Sequence, residues 1–144
     1  MKLLLKFNKL WKIILLFNNL LKMAESVNII EITSKEQFDE AVKSEKLTIV
    51  DFWAVWYGPC RVLKPLLHKI AGEHPEIQLL TVDVDANQEL AAQYDINSIP
   101  AVFMFKNWEI VHDFVWVLPE NEILEKIQKF NSTSEDEIEY KQAT

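Results

Sequence analysis

The segment LTIVDFWAV (47–55) constrains the fold more than any other part of the chain. Its residues are nearly all apolar and do not alternate with polar residues, as they would in a strand with one solvent-exposed face. This pattern is typical of a central strand covered on both faces. VNIIEI (27–32) and IQLLTVDV (77–84) also read as strands, and helical patterns separate the three segments. The alternation of strand and helix predicts an α/β domain with a largely parallel sheet.

Four helices and a hairpin complete the predicted domain. Ser34 should cap the first helix, with Gln37 three residues later completing a capping box. Pro65 falls inside the second helix, where a proline removes a backbone hydrogen bond. The helices are expected at about 34–43, 59–73, 87–94 and 120–130, and AVFMF with EIVHDFVWV predicts a β-hairpin before the last one.

The composition supports one globular domain and excludes a disulfide scaffold. Of 144 residues, 49% are hydrophobic and 26% charged, so the chain can build a core without a metal or disulfide staple. Cys60 is the single cysteine and cannot form an internal disulfide, which favours a reducing compartment. We therefore expect a cytoplasmic protein, with membrane association or export through residues 1–22 as the alternative.

Charge is distributed unevenly along the chain. Five of the 15 basic residues are lysines within residues 1–23, and all 22 acidic residues follow them, so the remainder has a net charge near −12. Such a surface repels phosphate backbones, which argues against a nucleic-acid partner. The three histidines are scattered and a single cysteine gives no zinc pattern, so neither a metal nor a cofactor is expected.

The two ends differ from the middle in composition. Residues 1–22 place apolar side chains at helical spacing (Leu3, Phe7, Leu10, Ile14, Phe17 and Leu21) among lysines only. This basic extension is an interfacial helix, a weak export signal, or a segment ahead of a true start at Met23. Residues 131–144 are polar and acidic and predict a disordered tail. The domain itself is expected to span residues 23–130.

Two motifs carry a family resemblance. VDFWAVWYGPC followed by NSIPAVFMFKN closely resembles thioredoxins, whose signature is W-C-G-P-C after a central strand and an I-P step before the next hairpin. The resemblance covers about residues 27–130. It implies the thioredoxin fold, a central mixed sheet of about five strands flanked by about four helices, and protein-disulfide oxidoreductase activity on the thiols or disulfides of client proteins.

The resemblance also assigns the catalytic positions, one of which is altered. The family's nucleophilic cysteine stands at the start of the helix, and this chain has Tyr57 there. Cys60 occupies the position of the resolving cysteine, which the family buries, and Asp51 that of a buried acid beneath the motif. Because a phenol cannot form a disulfide, the two-thiol couple should be absent. The lysine that usually lies near the acid is replaced by Thr81.

The family's substrate-binding surface maps onto Trp56, Gly58, Pro59, Ile99, Pro100 and Trp116. Pro100 matches the family's cis-proline. Trp116 stands where the family has glycine, so the indole should obstruct the groove unless it packs inward. Trp108 replaces glycine in the hairpin turn, where positive φ strains a side chain.

Three functions stay open from the sequence. The first is a thiol-disulfide oxidoreductase that is impaired or inactive, whether it retains a slow monothiol site at Cys60 or is an altered copy of an active parent. The second is a non-catalytic binding or scaffold module that uses exposed aromatic residues. The third is a scaffold tethered to a membrane by residues 1–22. A monomer is expected.

Overall fold

The computed structural model describes residues 2–26 and 28–132; most of the predicted acidic tail, residues 133–144, lies outside the described residues. The strands are β1 (Ile29–Glu31), β2 (Leu47–Trp53), β3 (Ile77–Asp83), β4 (Ala101–Lys106) and β5 (Glu109–Val115). The helices are α1 (Lys2–Ser26), α2 (Lys35–Ala41), α3 (Gly58–Glu73), α4 (Gln88–Gln93) and α5 (Glu120–Asn131).

The strands form one mixed sheet in the order β1-β3-β2-β4-β5. β1, β3 and β2 run parallel, whereas β4 is antiparallel to β2 and β5 is antiparallel to β4. In the antiparallel register Phe52 pairs with Ala101, so the chain leaves β2 at the same edge of the sheet where it enters β4. The predicted α/β sheet of about five strands is confirmed.

The central strand β2 packs helices on both of its faces. Leu47 and Ile49 lie in a buried cluster with residues of α3 and α5, whereas Val50 and Phe52 lie in a second cluster with residues of α2 and α4. Because successive side chains of a strand point to opposite faces, Asp51 shares the α3 face with Leu47 and Ile49. This alternation places a carboxylate directly beneath α3.

The start of α2 differs in detail from the predicted capping box. The Ser34 hydroxyl accepts a hydrogen bond from the Gln37 N–H at 3.1 Å, as a capping residue should. The Gln37 side-chain oxygen accepts instead from the backbone N–H of Thr33 at 2.8 Å, one residue before the cap. Thr33 offers a hydroxyl as well, at 3.2 Å from the same oxygen, and the paired donors favour this position.

Helix α1 continues past residue 22, where the sequence suggested that the extension ends, and reaches Ser26. Its described side chains, at residue 6 and from residue 8 to residue 20, are all exposed. Among the residues described, no helix combines the length and apolar character needed to cross a bilayer.

Candidate active site

The candidate site is built on the loop between β2 and α3. Tyr57 is the N-terminal capping residue of α3, with extended backbone (φ −97°, ψ 120°), and its N–H donates to the Ala54 carbonyl at 3.3 Å. Gly58 and Pro59 form the first turn, where the missing N–H of proline leaves no helical bond unmade. The half-buried Tyr57 side chain makes no capping hydrogen bond, so the phenol occupies the helix start without satisfying its N–H groups.

Cys60 lies one turn further into α3 and is fully buried. Burial raises the pKa of its thiol, and the charge of Asp51 raises it further, whereas a contact with the Ala54 backbone opposes both effects. A raised pKa suppresses the thiolate, which is the reactive form of cysteine. The chain therefore has one sulfur atom at this site, enclosed and predominantly protonated.

Asp51 lies beneath the motif with 0% of its surface exposed, and neither carboxylate oxygen has a hydrogen-bond partner among the described residues. Burial raises the pKa of this carboxyl to about 7, and the charge of Lys64 opposes the rise. Because desolvation disfavours the ionised form, Asp51 changes its charge near neutral pH rather than near pH 4.

Lys64 is a site residue that the sequence analysis missed. Thr81 pairs with Asp51 across the parallel ladder, and it carries no charge. The nearby positive charge comes instead from α3, where Lys64 follows Cys60 by four residues and so lies on the same helix face. Its ammonium nitrogen stands 3.5 Å from the centroid of the Trp53 ring. The i, i+4 spacing from Cys60 is the signal that could have identified it.

Exposed aromatic residues flank the motif. Trp56 is 66% exposed, its indole N–H donates to the Asp85 carboxylate at 2.9 Å, and its ring centroid lies 5.6 Å from that of Tyr57. Across the edge of the sheet, Ile99 is half-buried, Pro100 is buried, and the peptide bond between them is cis.

Trp116 adjoins Pro100 through the backbone. Its N–H donates to the Pro100 carbonyl at 3.0 Å, and its backbone is left-handed with φ 80°. The side chain is 56% exposed, so it does not pack inward, which was the alternative considered from the sequence. A left-handed conformation costs a side-chain-bearing residue about 1–2 kcal/mol relative to glycine.

Trp108 lies in the hairpin turn, as the sequence predicted, and does not belong to this cluster. Asn107 and Trp108 form the turn between β4 and β5 with φ of 50° and 68°, the positive values of a type I′ hairpin. Pro100 precedes the other end of β4. At about 3.3 Å per residue, the length of β4 separates Trp108 from Pro100 by about 20 Å.

The sheet is mixed and is covered by helices on both faces. The WYGPC segment at the start of α3 and the cis peptide bond before Pro100 lie at the same edge of this sheet. Together these features define a thioredoxin-fold domain. A sequence model described as "Thioredoxin" matches residues 29–129. The M-type chloroplastic thioredoxin of Pisum sativum is 34% identical over 87% of this chain and 75% of its own length. The thioredoxin of Mycoplasmoides gallisepticum is 33% identical over 67% of this chain and 97% of its own.

A solved structure supports the same assignment. The thioredoxin of Plasmodium falciparum has 28% sequence identity to this chain and a TM-score of 0.64, over 69% of this chain and 97% of that one. The chain belongs to the thioredoxin family, whose members are redox proteins that generally act on protein disulfides.

Proposed function

We propose that this protein is a thioredoxin-family member in which dithiol turnover is impaired or absent. The observation that carries the proposal is that Tyr57 occupies the start of α3, where the family places its nucleophilic thiol, while Cys60 is the single cysteine of the chain. An exchange cycle needs one sulfur to attack a client disulfide and a second to release the mixed disulfide. With one sulfur, electrons cannot be stored in an internal disulfide and passed on.

Cys60 is a weak substitute for the missing nucleophile. Attack requires a thiolate that reaches the client sulfur, and the Cys60 thiol is fully buried with a raised pKa. In the proposed assignment Cys60 keeps the resolving position and Asp51 the position of its proton acceptor, and neither has a mixed disulfide to act on. Any residual activity would be slow formation of mixed disulfides in which Cys60 stays trapped.

A second candidate function is the non-catalytic binding of client polypeptides. The observation that favours it is the exposure of Trp56 and Trp116 beside the motif, at 66% and 56%. Exposed tryptophans are enriched among residues that dominate binding energy at protein interfaces. The proposed surface combines them with Gly58, Pro59 and the Ile99–Pro100 step.

The reductase function is tested by dithiothreitol-driven reduction of insulin, which precipitates when its disulfides are cleaved. We expect this chain to match the reaction with dithiothreitol alone, while the Pisum sativum relative serves as a positive control for the assay. Acceleration by the purified chain as large as that of the positive control would contradict the proposal, because dithiothreitol can release a mixed disulfide only as fast as the buried Cys60 thiol forms one.

The binding function is tested with a reduced and alkylated unfolded polypeptide, which offers extended chain without reactive sulfur. Trp116→Gly should weaken binding by tenfold or more if Trp116 is an anchor of the interface. Trp108→Gly is the matched control, because it makes the same substitution at a left-handed position about 20 Å away. Equal affinities for both variants and the parent chain would exclude a client surface at Trp116.

A further inference from the structure

Helix α1 carries an apolar surface that the domain leaves uncovered. Eight large apolar side chains between residues 10 and 20 are each 44–64% exposed: Leu10, Trp11, Ile13, Ile14, Leu15, Leu16, Phe17 and Leu20. Proteins rarely leave such a contiguous apolar surface in water unless it has a binding partner. The sequence predicted three further residues on this apolar face, Leu3, Phe7 and Leu21, whose side chains lie outside the described part of the structure.

The charges on α1 are all of one sign. Lys6, Lys9 and Lys12 recur every three residues along one side, and beyond residue 12 the apolar residues Ile13, Leu16 and Leu20 continue that side. Trp11, Ile14 and Leu15 occupy the opposite side at helical spacing. The helix has no acidic residue before Glu25. Two copies of α1 paired through the apolar side would leave these lysines without carboxylate partners, whereas an anionic surface would neutralise them, which favours an anionic partner over self-pairing.

An anionic lipid surface complements both properties. A helix lying in the plane of the membrane buries its apolar side at the level of the headgroups, while its lysines extend toward anionic phosphates. The longest charge-free stretch, Ile13–Leu21, has nine residues, far fewer than the roughly 20 needed to span the hydrocarbon core. The remainder of the chain, near −12, is repelled by the same surface, so contact should be confined to α1.

We propose that α1 is an interfacial anchor that binds anionic phospholipid membranes, with Trp11, Ile14 and Leu15 inserted and Lys6, Lys9 and Lys12 at the phosphates. This proposal is independent of thiol chemistry at Cys60. It holds whether or not the domain catalyses disulfide exchange.

The test is flotation of the full chain with vesicles of phosphatidylcholine alone or mixed with phosphatidylglycerol. We expect binding to the mixed vesicles that weakens as salt is raised, because each lysine near an anionic surface contributes about fivefold in affinity. Replacing Lys6, Lys9 and Lys12 together by glutamine should then reduce partitioning on the order of 100-fold. These side chains are exposed, so the core of the domain is unaffected.

A charge-matched control replaces three exposed lysines of the domain, Lys43, Lys46 and Lys129, by glutamine. This control should bind as the parent chain does, and equal loss in both triple variants would overturn the proposal by showing that only net charge matters. Absence of flotation, or equal binding to neutral and anionic vesicles, would also overturn it. So would concentration-dependent association in sedimentation that Trp11→Ser abolishes, because the apolar side would then bind a second copy.

Discussion

Replacing Asp51 by asparagine removes the one buried charge beneath the motif while leaving the size of the side chain unchanged. The wild-type carboxyl has a pKa of about 7 in the folded protein, against an ordinary value of 3.8. The folded state therefore holds this proton more tightly than the unfolded state. Below pH 3.8 Asp51 is protonated in both states, so its burial as a charged group costs no stability. Between pH 3.8 and pH 7 the free energy of unfolding falls as pH rises, and above pH 7 the full loss of stability is reached.

The magnitude follows from the separation of the two pKa values. Each pH unit between them lowers the free energy of unfolding by about 1.36 kcal/mol, so the full penalty is about 4 kcal/mol. A typical domain has only about 5–15 kcal/mol of stability. The advantage of Asp51→Asn over the parent chain should therefore grow by about 2.5 kcal/mol between pH 5 and pH 8.

The assay is urea unfolding of both proteins at a series of pH values, compared as the difference between them. Burial lowers the pKa of His68 and of His112, and these contributions cancel in the difference because both proteins share them. Glu45→Gln, at an exposed carboxylate between α2 and β2, is the control and should follow the parent chain. A difference between Asp51→Asn and the parent that does not change with pH would refute the assignment of a buried, titrating Asp51.

Three further predictions follow from the site. Lys64→Met should move the transition in the same pH series to higher pH, because it removes the charge that opposes the raised pKa of Asp51; an unchanged midpoint would show that Lys64 does not act on the carboxyl. Trp108→Gly and Trp116→Gly should each stabilise the fold by about 1 kcal/mol in urea unfolding, since glycine adopts their positive φ without strain, and a loss of stability would contradict this. Cys60 should react with iodoacetamide slowly in the native protein and rapidly in urea, and equal rates would contradict its burial.

The order of strands and helices could be predicted because each element carries its own local signal. The apolar run of β2 indicates a strand covered on both faces, and Pro59 marks the start of α3. The switch to antiparallel pairing at β4 was expected from the resemblance, since no local pattern shows which strand a segment pairs with.

The features that could not be predicted depend on which residues meet across elements. Lys64 compensates for the uncharged Thr81 only because α3 crosses above β2 and β3. Trp108 and Trp116 both stand where the family has glycine, yet the full length of β4 keeps them apart. The exposure of α1 likewise could not be predicted, because hydrophobic periodicity identifies an apolar helix face but does not show whether the domain packs against it.

The site has a single sulfur where disulfide exchange requires two, and Tyr57→Cys supplies the second one. The variant is oxidised, checked by mass for loss of two hydrogens, and then assayed with insulin and dithiothreitol beside the parent chain. We expect an internal disulfide between residues 57 and 60 and accelerated precipitation for the variant, with the parent chain at the blank rate. A parent chain that reduces insulin as fast as the variant would show that this site does not need a second sulfur.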